Sequence, residues 1–150
     1  MAHGILQTFY PMESALTFRP ATLEDAEFLF RLRQEAAANY KTVVSLESTR
    51  EWLRNSPEHM LLRIAQIDGE PIGTARWNLI DGEYDLSYAV LRKLSGHGVG
   101  KRMMHAFVKE FAHGKNIRAI CHENNIASQQ VALSLGLKHV SSDGPWKKFA

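Results

Sequence analysis

The chain has 150 residues, of which 45% are hydrophobic and 23% charged. That length and balance suit one folded domain and exclude disorder over most of its extent. Eighteen Lys and Arg stand against 16 Asp and Glu, a net charge of +2, too even for the basic stripe of a nucleic-acid binder.

Met1 to Ser14 lacks the basic start and long apolar stretch of a secretory leader. It is expected to be a flexible tail, residues 1–14, ahead of a single domain over 15–150. Leu16 to Arg19 alternates as a short strand and stops at Pro20. Thr22-Leu23-Glu24-Asp25 resembles a capping box, with Asp in the Glu position. Ala26, Leu29, Phe30 and Arg33 then recur at helical spacing, predicting a helix to about Ala38. Ser48-Thr49-Arg50-Glu51 has the full capping-box pattern and is expected to start a short helix carrying Trp52 and Leu53, ended by Pro57. Leu61 to Ile67, Pro71 to Ile80 and Glu83 to Leu91 read as strands. Asp68-Gly69 and Asp81-Gly82 are hairpin turn signals, so the three strands form an antiparallel meander. After the glycine-rich Ser95 to Gly100, the apolar positions Met103, Met104, Phe107, Val108 and Phe111 predict a helix up to Gly114. Ile117 to Cys121 is another strand, Asn125 to Leu135 a helix stopped by Gly136, and Leu137 to Val140 and Trp146 to Phe149 closing strands. The fold class is α/β (α+β), with a largely antiparallel sheet flanked by helices.

Cys121 is the sole cysteine. It excludes an internal disulfide and a cysteine-based zinc site, and it fits a reducing cytoplasm. The seven histidines show no metal-ligand spacing, so no metal is expected. No apolar run approaches the ~20 residues that span a bilayer.

A strand running into a glycine-rich turn and then a helix is an anion-binding device. Helix N-termini leave N–H groups unpaired, and glycines let backbone approach a phosphate. The Walker pattern fails at both ends, since Ser95 stands where Gly is needed and Arg102 where Ser or Thr is needed. The dinucleotide fingerprint fails at Lys101, which stands where Gly or Ala is expected. The loop is closer to a third pattern. Ser95-Gly96-His97-Gly98-Val99-Gly100 resembles the R/Q-x-x-G-x-G/A loop of the GNAT superfamily of acetyl-CoA-dependent N-acetyltransferases, with Ser95 replacing Arg or Gln. Phe18-Arg19-Pro20-Ala21-Thr22 with Asp25-Ala26, Ile67 to Gly73, Asn125-x-x-Ser128 and Leu135-Gly136-Leu137 resemble other motifs of that family, in order, over about Leu16 to Val140.

The resemblance implies a sheet splayed between its fourth and fifth strands, with acetyl-CoA wedged into the gap as co-substrate. It places backbone of Val90 and Leu91 on the pantetheine arm. It places N–H groups of Gly96, Gly98, Val99 and Gly100 on the pyrophosphate, with Lys101 and Arg102 adding charge or remaining solvated surface residues. Asn125 and Ser128 match positions that contact the cofactor arm, and both also suit helix capping. The reaction implied is direct attack of an amine on the thioester. The tyrosine that many relatives use to protonate the leaving thiolate is replaced by Ala132. Asp85 is the first candidate base, since Asp85, Ser87 and Ala89 share one strand face. Glu83, on that face but nearer the turn, is second. Tyr88 lies near the expected acetyl group on the opposite face, for packing or catalysis. For both carboxylates a solvated strand position is the competing reading.

Two narrower resemblances bear on the acceptor. Ala127-Ser128-Gln129-Gln130-Val131 resembles the branch that includes ribosomal-protein acetyltransferases. Arg33, Trp52, Gly73-x-x-Arg76-Trp77 and Asp85-Leu86-Ser87 resemble acetyltransferases of nucleotide-linked amino sugars in bacterial surface-sugar pathways. There Trp52 would stack on a sugar or base, or pack in the core, and Arg33 or Arg76 would meet a phosphate. The expected partner is a small-molecule amine, with neither nucleic acid nor membrane, and a homodimer is left open. A non-catalytic acyl-CoA-binding relative is the alternative from another class.

Overall fold

The computed structural model describes residues 15–37, 44–55 and 58–150. The N-terminal tail and the expected helix stop at Pro57 lie outside them.

Seven strands form one sheet in the order β1-β2-β3-β4-β5-β7-β6. β1 (Leu16–Pro20) runs antiparallel to β2 (Met60–Ile67), with Leu16 opposite Ile67. β2, β3 (Glu70–Ile80) and β4 (Glu83–Val90) make the expected meander. Both turns work because Asp68 and Asp81 accept positive φ (52° and 50°) ahead of glycines at 81° and 79°, the geometry that follows strand twist in a two-residue hairpin. β4 pairs in parallel with β5 (Ile117–His122), and β7 (Trp146–Phe149) lies between β5 and the exposed edge strand β6 (His139–Asp143). The sheet is therefore mixed and mostly antiparallel.

Helix α1 (Ala26–Ala37) follows a 3-10 turn at Leu23–Asp25. The Asp25 carboxylate accepts the Thr22 N–H at 2.8 Å and holds the Arg19 guanidinium through two bonds of 2.8 and 2.9 Å. One residue thus caps the turn and ties it to β1, and the arginine holds its carboxyl below the usual carboxylate range. Helix α2 (Leu46–Arg54) begins one turn earlier than the Ser48-to-Glu51 pattern predicts. Ser45 is the N-cap, its Oγ accepting the Ser48 N–H at 3.0 Å, while the Ser48 Oγ accepts the Ser45 N–H at 3.2 Å. Ser48 thereby fills the position usually held by Glu or Gln, with a hydroxyl as acceptor.

α3 (Val99–Phe111) lays Met103, Met104 and Phe107 onto one face of the sheet, all at most 1% exposed, against Ile67, Ile72 and Ala75. Phe18 meets Phe107 and Phe111 edge-on at 5.8 and 5.7 Å, the preferred aromatic geometry. Trp77 donates its indole N–H to the Phe111 carbonyl at 3.0 Å and so satisfies an end of α3. α4 (Ile126–Ser134) ends at Gly136, whose φ of 89° suits the left-handed stop.

Candidate active site

β4 and β5 stay paired only from Tyr84–Ile117 to Leu86–Ala119, although β4 continues to Val90 and β5 to His122. Beyond Leu86 the edge of β4 that faces β5 has no strand partner among the described residues, while its other edge remains bonded to β3 as far as Val90. The divergence opens a slot of about 130 Å³ bordered by Tyr88, Cys121, His122, Asn125, Ser128 and Ala132. Asn125 caps α4 by accepting the Ser128 N–H at 3.0 Å, so capping and a position on the slot coexist. Ala132, 2% exposed, puts a methyl group on the slot wall. The Leu91 N–H donates to the Ile72 carbonyl and its carbonyl accepts from the Leu94 N–H.

At the end of β4 the chain turns through Gly96 and Gly98, at φ 81° and 77°, into α3. Gly98 is the N-cap and supplies no side-chain cap. Among the described residues the N–H groups of Gly96 through Lys101 donate to no backbone carbonyl, and the first bond of the helix is Arg102 N–H to the Gly98 carbonyl. The result is a row of unpaired donors at the positive end of a helix dipole. Gly100 has a different reason for being glycine. A Cβ there would lie 2.8 Å from the Tyr88 ring. The first turn of α3 thus seats directly on the phenol that borders the slot.

A second cavity, of about 390 Å³, lies on the other face of the sheet beneath α1 and α2. Leu32 and Arg33 of α1, Trp52 of α2, Arg76 of β3 and Ser87 of β4 line it, and Tyr88 borders it as well as the slot. The guanidinium carbons of Arg33 and Arg76 lie 5.8 and 5.6 Å from the Trp52 ring centroid, within cation–π range. Arg33 also donates to Thr49 Oγ1 at 2.8 Å, and Thr49 is fully buried. Residues from two helices and a strand, far apart in sequence, therefore meet in one wall.

The carboxylates Asp85 and Glu83 line neither cavity. Arg118 of β5 bridges them, with Nε 3.2 Å from Asp85 Oδ1 and a terminal nitrogen 3.2 Å from Glu83 Oε1. Lys148 of β7 adds a 2.8 Å bond to Glu83. The two carboxyls respond in opposite directions. The Lys148 bond, with help from Arg118, holds Glu83 below its ordinary value. Burial pushes Asp85 up, against the opposing pull of Arg118 and Arg76. Burial also raises the Tyr88 phenol to about 12 and the Cys121 thiol above its usual range, so both keep their protons at neutral pH. Sequence reasoning missed Arg118 and Gln129. Gln129 is 8% exposed and donates to the His122 and Glu123 carbonyls, tying α4 to the end of β5. The alternation of β5 would have placed Arg118 beside Asp85 had the strand register been known.

Among the described residues no group of three or more His, Cys, Asp or Glu is placed to hold a metal ion. None of their helices is long and apolar enough to cross a membrane.

The family model of the acetyltransferase (GNAT) domain matches residues 15–138, and the chain belongs to that family. Among solved structures it is similar to a ribosomal-protein-alanine N-acetyltransferase from Brucella melitensis, at 20% identity and TM-score 0.73, over 89% of this chain and 97% of that one. A domain from Methanocaldococcus jannaschii shares 19% identity at TM-score 0.78, over 91% and 97%. The Salmonella typhimurium protein yncA, solved with its cofactor acetyl-CoA, shares 18% at TM-score 0.69, over 90% of each chain. These identities carry the fold. A search of curated proteins finds no match.

Proposed function

We propose that this acetyltransferase moves the acetyl group of acetyl-CoA to a primary amine held in the cavity beneath α1 and α2. The observation that carries the reading is that Tyr88 borders both that cavity and the β4–β5 slot, so an amine in one reaches an acyl group in the other. The residues present fit the co-substrate. The free edge of β4 offers amide partners to the pantetheine arm, and Gly96 to Lys101 offer unpaired N–H groups to a diphosphate. Bound acetyl-CoA supplies the acyl group as a thioester.

The chain's own part is to position the amine and to move its proton. Asp85 is the proposed base, acting through an intervening solvent molecule. Its Oδ1 is taken by Arg118, whereas Oδ2 has no protein partner among the described residues. Its raised pKa brings it closer to neutrality than Glu83, which is lowered. Edge N–H groups near Val90 are the donors toward oxygen as negative charge builds there. Tyr88 retains its proton, and its phenol is a donor beside the slot in place of the missing side chain at Ala132.

The acceptor proposed is an amino group on a nucleotide-linked sugar, in the cytoplasm. It is supported by a cavity that joins an indole to two guanidinium groups. The second reading is a ribosomal-protein or peptide N-terminus, and a structural neighbour at 17% identity is the ribosomal L7/L12 acetyltransferase RimL. A panel assay with acetyl-CoA separates them. Amino-sugar nucleotides are expected to turn over, and polyamines, free amino acids and peptide N-termini to lag. Turnover with peptides and none with any amino sugar reverses the ranking. No turnover with tight CoA binding makes the protein a non-catalytic relative.

A further inference from the structure

We infer that the acceptor carries an oxyanion, carboxylate or phosphate, and that Arg76, flanked by Arg33, is its receptor. The inference rests on the cavity being the amine site.

A buried N–H of a guanidinium normally finds an acceptor, because a charged donor removed from water without a partner is costly. Arg76 departs from that rule. Its Nε is buried and has no hydrogen-bond partner among the described residues. Its one hydrogen bond, to Ser87 Oγ, is 3.5 Å long, at the outer limit for such a bond. No carboxylate lies within ion-pairing distance of it among the described residues, and Asp85, the acid whose field it feels, is bonded to Arg118. Arg33 brings a second positive charge into the same wall, where its partners among the described residues are the Thr49 hydroxyl and the Trp52 ring. None of the described residues lining the cavity is acidic. The two arginines therefore raise each other's cost, and burial with Arg33 nearby lowers the pKa of Arg76.

Trp52 explains how the pair is kept. An indole ring accepts both guanidinium groups by its electron-rich face and fixes their positions without neutralising them. Trp52 is then a holder of arginines, rather than the surface on which the acceptor stacks. An oxyanion entering the cavity completes the set, since guanidinium and phosphate or carboxylate match in fork geometry. Register limits the acceptor's span. Arg76 lies opposite Ser87, three residues before Val90, or about 10 Å along a strand. An amine and an anion within roughly that separation fit. Polyamines, which bring only positive charge, do not.

The test uses inorganic phosphate as probe, with saturating CoA present so that the glycine loop is filled. Thermal melts of wild type are compared in phosphate and in chloride at equal ionic strength. Phosphate is expected to raise the melting temperature of wild type and to leave Arg76→Met unmoved. Without phosphate, Arg76→Met is expected to melt at or above wild type, because an uncompensated cation has gone. Arg76→Lys keeps the charge without the fork and is expected to respond weakly; it serves if the Met variant does not fold. A kinetic arm compares glucosamine with glucosamine 6-phosphate, expecting a preference of roughly 10–100-fold in kcat/KM for the phosphate ester in wild type and none in Arg76→Met. A phosphate response absent in wild type, or surviving in Arg76→Met, overturns the inference. Phosphate binding without acetylation of any amine overturns the amine-site reading and leaves the anion site standing.

Discussion

Gly98→Asp separates folding from cofactor binding in the glycine loop, and Gly98→Ala is its control. Gly98 sits at φ 77°, with no atom within 4 Å of where a Cβ would be. Neither substitution meets a clash, so the cost of each is the left-handed backbone alone, roughly 1–2 kcal/mol for Ala and less for Asp. The Asp charge also lies at the positive end of α3, which offsets about 0.3–1 kcal/mol of that. Both variants should therefore fold and melt close to wild type. CoA affinity should diverge. A carboxylate about 5 Å from a doubly charged diphosphate, at an effective dielectric between 20 and 80, is repelled by roughly 1.7–6.6 kcal/mol. The lower bound already weakens binding about 15-fold. Calorimetric titration of CoA reads this directly. Ala is expected to bind within a few-fold of wild type, and Asp to lose most or all measurable binding. A folded Gly98→Asp protein that binds CoA as well as Gly98→Ala would show that the unpaired N–H row is only the entry to a helix.

Four further outcomes follow from the ion pairs and from the slot. Asp85→Asn should lower turnover by about 10²–10⁴-fold while leaving CoA affinity nearly intact, and should remove the acid limb of the pH–rate profile. Arg118→Met takes away the cation that holds the Asp85 pKa down, so that limb should move to higher pH; an unmoved limb would shift the role of base to another group. Cys121→Ser should keep most activity, because the buried thiol has a raised pKa and direct attack by an amine needs no acyl-enzyme. Asp25→Asn should cost about 0.5–2 kcal/mol through the weakened cap. Its folded-state pKa is depressed, so the stability it confers is present above about pH 3.9 and disappears as pH falls through the lower folded value. Denaturant melts from pH 3 to pH 7 should show wild type and variant converging at the acid end.

Much of this protein is written locally. The Asp-Gly pairs at 68–69 and 81–82 specify their hairpins within four residues, because only a few side chains tolerate positive φ. The same locality makes Thr22 to Asp25, the glycine loop and the stop at Gly136 readable in sequence. It also explains the misplaced start of α2. Ser48 to Glu51 satisfies the capping pattern on paper, but Ser45, one turn earlier, makes the reciprocal bonds with Ser48, and a pattern cannot rank two overlapping serines. Identity of the site residues was legible in part: Asp85, Tyr88, Asn125, Ser128 and Arg76 are all recognisable as polar or aromatic punctuation on regular elements. Their states were not. That Asp85 is bonded to Arg118, 33 residues away, depends on parallel register between β4 and β5. That Arg76 has no carboxylate at ion-pairing distance among the described residues depends on which side chains α1 and α2 bring over the sheet. Hydrogen bonds within a turn are set by neighbours along the chain. Burial, pKa and the balance of charge in a cavity are set by neighbours in space, and only the packed sheet and helices decide those.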